Sequence, residues 1–112
     1  MTARPIMMIE LPTPAQREAE WNEWYHDVHI PDALSRGTGS KHATRYRLVA
    51  GHDDVRYLTI YEFDSEEALR THFDSPGHEP RRQEYERLWG PGTARSIRRR
   101  VFTPLFAYGD RA

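Results

Sequence analysis

The stretch Val55-Arg-Tyr-Leu-Thr-Ile-Tyr-Glu-Phe63 decides the fold. Its β-branched and aromatic residues predict a strand, and alternation puts Val55, Tyr57, Thr59, Tyr61 and Phe63 on one side with Leu58 and Ile60 on the other. Both sides are too apolar for water, so the strand belongs in a sheet covered on both faces. Ser40 to Val49 has the same character, and Gly51-His-Asp-Asp54 between the two runs reads as a turn. The pair predicts a hairpin.

Working outward, Pro5-Ile-Met-Met-Ile-Glu-Leu-Pro12 is a short apolar run closed by proline and reads as a buried first strand. Thr13-Pro14 then opens a helix, Thr13 capping free amides and Pro14 taking the first helical position, with Glu18 and Glu20 near the positive helix end. Trp21, Trp24, Tyr25, Val28 and His29 recur at helical spacing and share one face. Pro31 disfavours helical geometry at Ile30, so the helix is expected to end or kink near His29, with Asp32 to Leu34 resuming a turn before Gly37-Thr-Gly39.

After the hairpin, Asp64 followed by Glu67 predicts a helix cap, and Leu69, His72 and Phe73 predict the inner face of a short helix that stops at Ser75-Pro-Gly77. A second helical piece runs from Glu79 to Trp89 with Tyr85, Leu88 and Trp89 inward, and Gly90-Pro-Gly92 stops it. The tail from Arg95 to Tyr108 alternates basic and apolar residues as a last strand would.

The order strand, helix, strand, strand, helix, strand defines an α+β, ferredoxin-like βαββαβ fold, a four-stranded antiparallel sheet with helices on one face. The other face is left bare, and a second copy packed sheet to sheet would cover it. A homodimer is therefore expected. At 112 residues the chain is long enough for one such domain, residues 1–112.

With 16 basic against 17 acidic side chains, no global field draws the protein to nucleic acid or a membrane surface. No cysteine is present, which removes disulfides, thiolate metal sites and cysteine nucleophiles. Neither a secretory signal nor a membrane span is visible, so the expected location is cytoplasmic. The remaining equipment includes six histidines, six tyrosines and three tryptophans, which suits acid–base chemistry or the binding of an aromatic ligand. Redox chemistry would need an imported cofactor.

Trp21-Asn-Glu-Trp-Tyr25-His-Asp-Val-His29-Ile-Pro31, followed by Arg45-Tyr46 in the next strand, resembles the EthD-like branch of the dimeric α/β-barrel superfamily. There a tryptophan- and tyrosine-rich first helix ends in a His-Ile-Pro or His-Leu-Pro turn. The resemblance implies the same fold over nearly the whole chain. It also implies kinship with lactone isomerases, polyketide cyclases, small decarboxylases, cofactor-free monooxygenases and haem enzymes. His26 stands where the family pattern has an acid, and Arg36-Gly-Thr-Gly39 replaces its Pro-Gly-Phe.

His29 is the leading candidate catalytic residue, an imidazole able to take or give a proton near neutral pH, with Tyr25 one turn behind to orient a substrate oxygen. The plainer reading is a histidine bonded to a carbonyl at the Pro31 kink. His42, on the side of Thr44 and Tyr46, would be a second acid–base group if that face lines the pocket, or else a half-exposed strand residue. His26 and His29, with His78 or Asp27, form only a weak metal pattern, and no metal or other cofactor is expected.

Trp21, Trp24, Tyr46, Tyr61 and Trp89 are candidate substrate-binding residues, an aromatic lining for a flat hydrophobic molecule, although such residues also serve as plain core. Tyr57 belongs with the same aromatic group. Arg95, Arg98, Arg99 and Arg100 either hold a carboxylate or solvate an edge strand. The expected function is that of a small cofactor-independent enzyme of the cyclase, isomerase, lyase or decarboxylase type, moving a proton on an aromatic, polyketide or lactone-like substrate. A non-catalytic binding or accessory module is the alternative, and a haem or metal protein a weaker one.

Overall fold

In the computed structural model, which describes residues 3–14, 16–35, 39–74 and 78–109, the central hairpin forms as expected. Strand β1 is Ile6–Glu10, followed by helix α1 at Glu18–Trp24, a π-helical segment at Tyr25–His29 and helix α2 at Ile30–Ser35. Strands β2 (Ser40–Arg47) and β3 (Tyr57–Phe63) come next, then helices α3 (Glu66–Phe73) and α4 (His78–Trp89) and strand β4 (Arg98–Phe102). The sheet has four antiparallel strands in the order β2-β3-β1-β4, the ferredoxin-like arrangement. The breaks expected at 37–38 and 75–77 lie outside the described residues.

Register assigns the two faces. Ile9 pairs with Thr59 and Arg99, and Met7 with Tyr61 and Val101, on the side that the helices cover. There Met7, Ala33, Tyr61, Phe63 and Leu69 form one buried cluster, and Leu11, Trp21, Tyr25, Tyr85 and Ala94 form a second. Burying a large apolar side chain contributes about 1.5–3 kcal/mol, so these clusters fix the helices to the sheet. The opposite face carries Ile6, Met8 and Glu10, Leu58 and Ile60, Thr44 and Tyr46, and Phe102.

Three details depart from the sequence expectation. Helix α1 begins at Glu18, with Arg17 rather than Thr13 as its N-cap and no side-chain cap bond. A separate turn precedes it, closed by the Arg17 amide on the Pro14 carbonyl at 3.4 Å, and the Arg17 guanidinium meanwhile reaches the Leu88 carbonyl at 3.0 Å. Helix α3 is capped by Ser65, whose hydroxyl accepts from the Ala68 amide at 3.1 Å, while Asp64 pairs with Arg4.

The third departure concerns Pro31. Helical structure continues through it to Ser35, and the Ile30 amide donates to the Tyr25 carbonyl five residues back. Proline lacks an N–H and crowds the carbonyl four residues earlier, and a π turn supplies the added room. The wider turn also changes the facial pattern. Tyr25 stays buried at 4% exposure, whereas Val28, expected on the inner stripe, is 52% exposed.

Candidate active site

A cavity of about 160 Å³ lies between the helices and the sheet. Its floor is strand surface: Met7 and Ile9 from β1, Tyr61 and Phe63 from β3. The π segment and α2 supply Tyr25, His29 and Ala33. Helix α4 contributes Arg81, Arg82 and Tyr85, and His72 and Arg99 complete the polar lining together with Ser40. The volume is close to that of a cavity able to hold a benzene ring.

The π turn brings His29 and Tyr25 to this cavity together. Their rings meet edge to face with centroids 4.9 Å apart, and Trp24 stacks on the imidazole at 4.7 Å. Trp24 is held in turn by Tyr85 at 5.9 Å and Trp89 at 5.7 Å. Behind Tyr25, the indole of Trp21 donates to the Tyr85 hydroxyl at 2.8 Å. His29 thus sits in an aromatic frame that limits its rotation.

Arg45 lies beneath the helix on the covered side of β2. Its guanidinium carbon is 4.5 Å from the Tyr25 ring, 5.0 Å from Tyr57 and 5.2 Å from Trp21. One nitrogen donates to the Asn22 side-chain oxygen at 2.8 Å and lies 3.1 Å from the His26 ring. A planar cation among aromatic faces is attracted by their quadrupoles, so Arg45 locks α1 and the π segment to the sheet.

Burial holds the phenols of the site in their protonated form. Tyr25 is pushed far above the usual tyrosine range by desolvation, then by Tyr85 and Tyr61, against an opposing pull from Arg45. Tyr61 is pushed up to about 12 by burial, with Arg81 and Arg45 acting the other way. Tyr85 is raised by burial and lowered in part by the hydrogen bond from Trp21. At neutral pH these hydroxyls can donate hydrogen bonds and do not serve as bases.

Among the sequence candidates, the structure brings His29, Tyr25 and Tyr61 to one cavity. Trp21, Trp24 and Trp89 stand behind it as support and do not line it. His42 is placed elsewhere. A register irregularity between Ser40 and His42 lets Ser40 align with Phe63 on the covered side, while His42 pairs with Glu62 on the bare face. Tyr46, on that same bare face, is 51% exposed, so neither residue meets His29.

Sequence reasoning passed over His72, Arg81 and Tyr85 as site residues, and it named Arg99 only within a group, Arg95, Arg98, Arg99 and Arg100, that either holds a carboxylate or solvates an edge strand. Tyr85 had been read as inward, and Arg81 is four residues before it on the same helical face, a spacing that placed the arginine inward too. His26 and His29 point to different surroundings, Arg45 for the first and Trp24 for the second. Among the described residues, no three histidines or acids gather in a way that could hold a metal ion. No helix among them is long and apolar enough to cross a membrane.

Residues 6–91 match the family described as Domain of unknown function (DUF4286). The chain belongs to the DUF4286 family. Among curated proteins, none matches the sequence. The fold of this DUF4286 chain is shared with an EthD family protein of Bacillus halodurans, at TM-score 0.67 and 12% identity over 92% of this chain and 100% of the other. The EthD-like, ferredoxin-like resemblance read from the sequence therefore holds for the fold.

A dimeric ferredoxin-like protein of unknown function from Jannaschia sp. CCS1 is similar at TM-score 0.60 and 12% identity, covering 91% of this chain and all, 100%, of that one. SnoaB, a cofactor-independent oxygenase from Streptomyces nogalater, is similar at TM-score 0.59 and 18% identity over 96% and 100% of the two chains.

Proposed function

We propose that the cavity is the site of a cofactor-independent proton transfer on a hydrophobic, oxygenated ring compound, with His29 as the acid–base group. The observation that carries this reading is the convergence of His29 and the protonated hydroxyl of Tyr25 on one ring-sized cavity with an apolar floor. His29 takes a proton from a carbon next to a carbonyl. Tyr25 donates a hydrogen bond to the enolate oxygen that forms, and the same imidazolium returns the proton at another carbon. Isomerisation by this route, and lyase-type or cyclisation steps that begin from the same enolate, are the expected reaction class. The existence of a cofactor-independent oxygenase on the same fold supports a cavity that works without a resident cofactor.

The experiment is a mass-spectrometric turnover screen of wild type and folded His29→Ala against aromatic polyketides, lactones and phenolic acids. Loss of roughly 10²–10⁴-fold in turnover is expected, the usual contribution of a positioned acid or base. An unchanged rate would remove His29 from the chemistry, and compounds bound but left intact by both proteins would indicate a binding module instead.

We also infer that the chain pairs with a copy of itself through the bare sheet face. Ile6, Met8, Leu58 and Ile60 lie at its centre, with Tyr46 and Phe102 toward the edges and the Glu10–Arg100 ion pair among them, a mixed surface whose apolar part a second sheet would cover. The dimeric protein from Jannaschia supports this arrangement on the same fold.

A further inference from the structure

Two guanidinium groups meet at the cavity, Arg81 from α4 and Arg99 from β4, and Arg82 joins them at its exposed rim. The described residues lining the cavity include three arginines and two histidines and no carboxylate, in a chain with 17 acidic side chains. Elsewhere, Arg17, Arg56, Arg70, Arg87 and Arg100 each meet a glutamate. Arg99 meets none among the described residues. Its Nε is shut off from solvent and makes no hydrogen bond among them, and its guanidinium lies 5.6 Å from the Phe73 ring.

Burial, and then the charge of Arg81, lower the hold of Arg99 on its proton, so the two cations are near enough to repel. Arg81 acts on the Tyr61 hydroxyl as well, which places the cationic end of the cavity beside the ring-bearing floor. Arg99 is thus a half-buried cation with no carboxylate partner among the described residues, and a planar guanidinium group matches a carboxylate in two-point hydrogen bonding.

We infer that the ligand of this cavity is an organic acid, a compound of about one aromatic or lactone ring whose carboxylate docks between Arg81 and Arg99 while the ring lies on Met7, Ile9 and Phe63. The inference rests on the reading of the cavity as the reaction site and adds the substrate's charge. His29 lines the same cavity from the π segment, and the arginines enter it from α4 and β4.

The test is calorimetric titration with a panel of ring acids, benzoate, salicylate and a lactone carboxylate, each paired with its neutral amide. Acids are expected to bind at least roughly tenfold more tightly than their amides, with a preference that weakens in salt. Arg81→Gln and Arg99→Gln should each weaken acid binding more than amide binding and so erase that preference, while Arg99→Lys, which keeps the charge, retains part of it. Near-UV circular dichroism confirms that each variant is folded.

Equal affinity for acids and amides, absence of binding by every acid of the panel, or an acid preference that survives both glutamine variants would overturn the inference. His29→Ala separates this from the proposed reaction. Acid preference is expected to persist in that variant, whereas His29-dependent turnover of neutral compounds alone would overturn the anion site and leave the proton transfer standing.

Discussion

The imidazole of His29 lies against the indole of Trp24, ring centroids 4.7 Å apart and planes 24° from parallel. Stacking of this kind fixes ring orientation, and a proton donor displaced by about 1 Å can lose roughly 10²-fold in rate. Trp24→Leu should therefore lower kcat by roughly ten- to a hundredfold with little change in KM. Trp24→Phe, which keeps a ring under the imidazole, should retain most of the rate. Steady-state kinetics on any substrate found in the turnover screen checks this, and a wild-type kcat for Trp24→Leu would show that the stack does not position His29.

Tyr85→Phe should destabilise the fold by about 1–3 kcal/mol, although it removes one atom, because the Trp21 indole N–H would lose its acceptor while buried. Trp21 is 1% exposed, which leaves little access for water as a substitute partner. Urea denaturation measures the difference, and an unchanged midpoint would mean that the N–H finds another acceptor.

Tyr61 gives the protein an alkaline limit. Its hydroxyl ionises at about 12 in the folded chain, against about 10 when unfolded. Its contribution is fully present below about pH 10 and is lost as pH rises through about 12, because only the unfolded chain releases the proton between those values. Tyr25, raised by burial in the same sense, adds to the loss. Melting temperatures should fall above pH 10 in wild type and fall less steeply in Tyr61→Phe. Parallel curves for the two proteins would remove Tyr61 as a cause.

The fold was legible because each strand carried its own pattern. Val55 to Phe63 announced a strand inside the sheet, and the Trp21-to-His29 spacing brought Tyr25 and His29 to the same side of it. The errors have physical sources. Alternation assigned His42 correctly to the side of Tyr46, but parity alone does not say which side of a sheet the helices cover. Val28 was misplaced because a regular helix was assumed where a π turn accommodates Pro31. Arg81 was hidden by its company, since His78–Trp89 is so polar that an inward arginine resembles its exposed neighbours, and Arg99, though weighed as a carboxylate holder, could not be told apart from Arg98 and Arg100 beside it.

Ile60→Glu tests the pairing of two copies. Ile60 lies between Met8 and Thr44 on the bare face, where a carboxylate would be desolvated on assembly and would meet its copy across a twofold axis. Sedimentation is expected to give a dimer for wild type and a monomer for the variant, with the far-UV spectrum unchanged. A dimer in both would place the interface elsewhere.

The π turn has a genetic consequence. The segment Tyr25–His29 holds one residue more than an ordinary turn, so a one-codon deletion within it would convert the segment to ordinary helix and shorten the spacing between Tyr25 and His29 from four residues to three. Pro31 would then crowd the backbone it now clears. Chemistry in such a lineage can be switched by a frame-preserving indel as readily as by substitution, and alignments that score only residue identity at position 29 would misjudge which descendants kept the site.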